Sequence, residues 1–206
     1  MNLHYGCGLS PGKSWLNVDA SPTLRLQRLP VVGFVFRRVL KPVFPREIQY
    51  GDIVRGLNLQ PESCDVIFCS HVLEHLALED CRRALANTFK YLRPGGTFRA
   101  VLPSLETHIR DYIENPAPEA ALKFMRFSNL GWEKRGSGLK ARLRDAFGNT
   151  RHLWMWDFKA MKTELEKVGF REVKPVQFGD SPNPVFAEVE IPERFQWNPL
   201  AFECMK

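Results

Sequence analysis

The sequence predicts an α/β protein: a doubly wound, mostly parallel, Rossmann-like seven-stranded sheet with helices on both faces and a shortened first helix. Short apolar runs alternate with helical stretches along the chain, as in a parallel sheet covered by its crossovers. The first three runs each end in glycine or aspartate, where a loop takes over: Gly6-Cys7-Gly8, Asp19 and Gly51-Asp52. The chain closes on what reads as a late pair of strands, Glu172 to Phe178 and Val185 to Ile191.

The elements follow in order. Leu3-His4-Tyr5 is a first strand, and Trp15-Leu16-Asn17-Val18 a second, followed by Ala20-Ser21-Pro22. Only about ten residues part Gly8 from Asp19, short of a usual crossover helix, so the first helix is a stub. Ile48-Gln49-Tyr50 is a third strand, and Asp65 to Cys69 reads as a buried parallel one. From Glu79, the residues Cys81, Leu85, Phe89 and Leu92 share a helical face, which Pro94-Gly95-Gly96 stops. Thr97 to Leu102 is the next strand. Helices follow on Leu105, Ile109 and Ile113 and from Leu122 to Leu130, and Gly136 to Gly148 is a polar, basic loop. Asp157 caps a helix carrying Phe158, Met161, Leu165 and Val168, closed by Gly169.

The chain reads as a single domain over 1–206, with a basic and apolar insertion at 23–48 and a helical, basic region at 104–156. In the insertion Leu29, Val32, Phe36, Val39 and Val43 fall at helical spacing, but Pro30, Gly33 and Pro42 break one clean helix. It is read as a lid with its arginines in water, in preference to a membrane contact through Phe34 and Phe36. At 44% hydrophobic and 25% charged, the composition is that of a globular protein. Five cysteines without a CxxC pair argue against a zinc ribbon or a disulfide framework and for a cytoplasmic location. No leader pattern is visible, and the longest apolar stretch, Leu29 to Phe36, is far short of the about 20 residues that span a bilayer. The net charge of +6 forms no recognisable nucleic-acid module.

In an open parallel sheet a ligand binds beyond the carboxyl ends of the strands. Gly6 and Gly8 lie there and allow close backbone approach. A carboxylate at Asp19 can accept from both hydroxyls of a ribose, and one at Asp52 can take an adenine amino group. This turn–acid–acid order describes a nucleoside site. A dinucleotide site would need a third glycine where Pro11 stands and a helix to bind pyrophosphate.

These motifs also carry a resemblance. Tyr5-Gly6-Cys7-Gly8, Leu16-Asn17-Val18-Asp19, Gly51-Asp52-Ile53, Cys64-Asp65-Val66-Ile67, His71-Val72-Leu73-Glu74-His75-Leu76 and Leu92-Arg93-Pro94-Gly95-Gly96 occur in one order. Over about residues 3–103 this resembles the class I S-adenosylmethionine-dependent methyltransferases of the small type 11 branch. The resemblance implies S-adenosylmethionine as cofactor. It places Tyr5, Gly6, Cys7 and Gly8 along the methionine and ribose, Asp19 and Ala20 at the ribose hydroxyls, and Asp52 with Ile53 around the adenine. Ser70 and His71 fall near the sulfonium and the acceptor, and the region 104–156 on the acceptor side. The chain departs from many members at His4, where they carry an acid.

His71 is a candidate general base and His152 a second catalytic candidate, beside Trp154 and Trp156. The competing roles are a capping or packing His71, a structural His75, and a Glu74 that complements a helix N-terminus. His71-Val72-Leu73-Glu74-His75 also matches the H-x-x-E-H zinc-hydrolase pattern. That pattern needs both histidines on one helix, whereas His71 directly follows a strand, so no metal ligand is assigned. The function expected is methyl transfer, most readily at oxygen, to a small-molecule or glycan-type acceptor, the glycan part resting on the resemblance. The alternative is a non-catalytic module that binds the cofactor or a partner.

Overall fold

The computed structural model describes residues 1–131, 133 and 151–206. Its sheet comprises β1 (Asn2–Tyr5), β2 (Trp15–Asp19), β3 (Gln49–Tyr50), β4 (Cys64–Ser70), β5 (Leu92–Leu102), β6 (Arg171–Pro175) and β7 (Leu200–Met205). The strand order is β3-β2-β1-β4-β5-β7-β6. Strands β1 to β5 pair in parallel, and β7 runs antiparallel to β5 and β6. The chain steps outward from β1 to β3 and returns at β4 on the other side of β1. That reversal opens a crevice between the carboxyl ends of β1 and β4.

Alternation along the strands assigns the two faces. Leu3, Tyr5, Ile67, Cys69, Phe98, Ala100, Phe202 and Cys204 share one core cluster. It is covered by α3 (Leu78–Tyr91) and by α6 (Phe158–Val168), whose Met161 and Leu165 are fully buried. As expected, Asp157 caps α6 by accepting from the Ala160 N–H at 2.7 Å, and Gly169 ends it at φ +115°.

Among the described residues no α-helix packs in the core cluster of the opposite face, where covering helices were expected. That face carries Trp15, Val66, Phe68, Val101 and Ala201, packed by Phe186 and Val189. The cover is a 3-10 turn, Pro184–Glu188, where the sequence predicted a strand. Pro184 opens the turn, and Asn183 accepts from the Val185 N–H at 3.2 Å. Residues 6–14 make only turns, so even the expected stub helix is absent and this segment takes its place. Arg99 ties it to the sheet, donating to Glu190 at 2.6 Å, to Asp180 at 2.7 Å and to the Gln177 carbonyl at 2.7 Å.

Two further boundaries differ. Helix α3 ends at Tyr91, and Pro94-Gly95-Gly96 lies within β5 beside a register shift opposite Cys64 and Val66. The last strand is Leu200–Met205, which the sequence reading left unassigned. The insertion forms two short helices, α1 (Pro22–Gln27) and α2 (Gly33–Val39). Its core is Leu24, Phe44 and Ile48 against Cys7, and Arg28 staples it by donating to the Ile48 carbonyl. Val31, Phe34 and Val39 are exposed. Among the described residues no helix is long and apolar enough to cross a membrane. The basic loop read at Gly136 to Gly148 lies outside the described residues.

Candidate active site

The turn after β1 is built by two glycines in the left-handed region, Gly6 at φ +66° and Gly8 at φ +57°. A Cβ on Gly6 would lie 2.2 Å from Val72 Cγ2, so the β4 side of the crevice closes directly on this residue. A Cβ on Gly8 would meet nothing within 4 Å, so this backbone is open to a ligand. Gly8 N–H donates to Asp19 Oδ2 at 3.0 Å, and Ser21 N–H to Oδ1 at 2.8 Å. Each oxygen keeps a lone pair, so the carboxylate is oriented and still able to accept. Gly51 N–H donates to the Asp19 carbonyl at 3.1 Å, which brings the ends of β2 and β3 together. Asp52 Oδ1 accepts from Val54 N–H at 2.9 Å, and Oδ2 lies 3.4 Å from Arg55 Nε.

Other residues of the turn play packing parts. Tyr5 is buried against Phe98, and Ile53 is buried in the same core. Cys7 packs under the insertion, where burial pushes its thiol up to about 12. Ala20 is exposed beside Asp19. His4 points to the second face, between Trp15 and Phe68, and burial holds its pKa down to about 4.

Ser70 ends β4, and its Oγ is buried with no hydrogen-bond partner among the described residues. His71 follows at φ +54°, a conformation that costs a non-glycine residue about 1–3 kcal/mol. Its N–H donates to the Val101 carbonyl at 2.8 Å, and its Nδ1 lies 3.1 Å from Glu74 Oε1. His71 is therefore not helical, and the H-x-x-E-H pattern does not set its histidines on one helix. Glu74 sits in the 3-10 turn Leu73–His75, fully buried, whereas Glu79 and Asp80 occupy the first turn of α3.

Backbone bonds carry residues 152–156 back to this turn. Leu153 N–H donates to the Glu74 carbonyl at 2.7 Å and Leu105 N–H to the Trp156 carbonyl at 2.9 Å. His152 is thus brought against His75, ring centroids 5.0 Å apart. Burial lowers the His152 pKa, with Glu74 opposing. Trp156 is a core residue and Trp154 is exposed, so the aromatic patch divides between packing and surface.

A cavity of about 550 Å³ opens at this end of the sheet. Its walls include His71 and His152 together with α4 (Leu105–Glu114) and α5 (Ala120–Phe127). Sequence reasoning missed Asp111, Tyr112, Asn115, Lys123, Arg194 and Trp197, which also line it. The polar phase of α4, complementary to its Ile109 and Ile113, is the signal that could have found the first three. Asp52 lines a separate cavity of about 350 Å³, and Gly6, Gly8 and Asp19 line neither of the two.

The strand order and these strand ends resemble those of the class I S-adenosylmethionine-dependent methyltransferases. A family model described as "Methyltransferase domain" matches residues 9–100, a little under half of the chain. The structure resembles a SAM-dependent methyltransferase from Thermotoga maritima, with a TM-score of 0.52 at 14% identity over 100% of this chain and 81% of that one. It also resembles a SAM-dependent methyltransferase from Archaeoglobus fulgidus, with a TM-score of 0.50 at 16% identity over 100% and 85%. At such identities these likenesses show the fold. No curated protein matches the sequence.

The cofactor that this resemblance implies is S-adenosylmethionine. The residues present fit it: Gly8 has an open side, Asp19 is oriented with lone pairs free, and Ser70 Oγ is buried without a partner.

Proposed function

We propose that this enzyme methylates a hydroxyl of a small-molecule or glycan-type acceptor held in the cavity between His71 and the α4–α5 pair. The cavity carries the reading. Tyr112, Phe124 and Trp197 offer rings for the apolar face of a sugar, and Asp111, Asn115 and Arg194 offer polar atoms for its hydroxyls. S-adenosylmethionine supplies an activated methyl group on a sulfonium. The chain's own residues then have three tasks. Gly6, Gly8 and Asp19 hold the nucleoside, with Asp52 and Ile53 at the base. The cavity aligns the acceptor and excludes water. His71 removes the hydroxyl proton, its Nδ1 lying 3.1 Å from Glu74 Oε1.

A screen of sugars and phosphorylated glycans for transfer of labelled methyl tests this. Turnover on a hydroxylated acceptor, slowed far more than acceptor binding is weakened by His71→Ala, supports the assignment. Methylation confined to amines would overturn the oxygen assignment. Cofactor binding without turnover on any acceptor class would favour the non-catalytic module, a reading to which the helix-free connection after β1 lends support.

A further inference from the structure

Beside the methyl-transfer site lies a cluster that transfer from a sulfonium does not require. Glu74 is 0% exposed, and neither of its carboxylate oxygens has a hydrogen-bond partner among the described residues. Burying a carboxylate costs several kcal/mol unless a partner compensates it. Histidines face it from several sides. His71 Nδ1 lies 3.1 Å from Oε1 and His75 Nε2 lies 3.9 Å from the same oxygen. His152 Nδ1 is buried with no hydrogen-bond partner among the described residues. Ligating atoms of Glu74, His75 and His152 all lie within 4.8 Å of one another.

The other side of His75 fixes its tautomer. Its Nδ1 is 2.8 Å from the Arg151 carbonyl oxygen. A carbonyl only accepts, so Nδ1 carries a proton, and in the neutral imidazole Nε2 presents a lone pair toward Glu74. A lone pair and a carboxylate do not hydrogen-bond each other, whereas a cation between them satisfies both. An imidazole anchored by a backbone carbonyl on its far nitrogen is also how metal-ligating histidines are commonly held.

From this we infer that Glu74, His75 and His152 form a site for one divalent transition-metal ion, with zinc as the natural probe. Two imidazole nitrogens and a carboxylate oxygen suit such an ion and leave a coordination position open. Ligand atoms around tetrahedral zinc lie about 3.3 Å apart, so the cluster closes slightly on binding. The site is distinct from an H-x-x-E-H hydrolase centre, because it takes its second histidine from residue 152 and not from His71. His152 also lines the cavity beside α4 and α5, so the ion would sit next to the proposed acceptor position. There the ion would lower the pKa of a bound hydroxyl. That use rests on the methyltransferase reading; the metal site itself does not.

The test is calorimetric titration of the untagged, chelator-treated chain with Zn²⁺, repeated with Co²⁺ and visible absorption as a second readout. All five cysteines are buried and compete little. We expect one ion per chain, with affinity lowered at least about tenfold in Glu74→Gln, His75→Ala and His152→Asn. Circular dichroism and S-adenosylhomocysteine binding report whether each variant is folded. Absence of saturable binding, or binding undiminished in folded variants, would overturn the site. Zinc binding by a chain that does not bind S-adenosylhomocysteine would sustain the site and sink the methyltransferase reading.

Discussion

Gly8 N–H donates to Asp19 Oδ2 at 3.0 Å, so the turn after β1 and the acid after β2 form one unit. Removing the carboxylate should therefore act on binding more than on folding. Asp19→Ala is expected to weaken S-adenosylhomocysteine binding by about 1–3 kcal/mol, the range for charge-assisted hydrogen bonds. Titration of wild type and variant measures it. Equal affinities would detach Asp19 from the nucleoside.

The two glycines of that turn should respond differently to alanine. At Gly6 the new Cβ would meet Val72 Cγ2 at 2.2 Å as well as adopting φ +66°, and a loss of about 2–4 kcal/mol is expected. At Gly8 only the left-handed conformation is penalised, by about 1 kcal/mol. Urea denaturation of both variants checks the order.

Arg99 holds together the face covered by residues 184–195. It is almost fully buried, and the Glu190 side chain it pairs with is equally buried. Arg99→Ala strands that carboxylate and should cost about 3–5 kcal/mol. A denaturation midpoint shift near zero would mean that the 184–195 segment is not anchored through this residue.

His4 makes stability depend on pH. Its folded pKa is held down to about 4 by burial, against 6.5 when free. Between those values the unfolded chain binds the extra proton, so this contribution is complete above pH 6.5 and is lost as pH falls toward 4. The loss is roughly 3 kcal/mol at 1.36 kcal/mol per unit. Subtracting the profile of His4→Phe from wild type isolates it. Parallel profiles would show that His4 titrates normally in the fold.

The sequence revealed most of the fold through local signals. The Asp157 cap, the Gly169 stop and the apolar face of α6 are all contained in a short window, and the helix formed as read. Val185 to Ile191 was misread because its alternating apolar residues fit a strand as well as a packed turn. What decided between them was tertiary: Trp15 and Phe68 needed cover, and no helix after β1 supplied it. Leu200–Met205 then took the place in the sheet. At the candidate site, Gly6, Gly8, Asp19 and His71 were legible from their positions at strand ends. The meeting of His152 with Glu74 and His75 was not, because long-range backbone bonds from residues 153 and 154 create it.

Cofactor binding is the most direct test of the nucleoside site. Calorimetric titration of the purified chain with S-adenosylmethionine and S-adenosylhomocysteine should give saturable, one-site binding of both, lost or sharply weakened in Asp19→Ala. Absence of binding of either ligand at millimolar concentration would contradict it, and would mean that the turn at Gly6 and Gly8, without a helix behind it, does not hold the nucleoside.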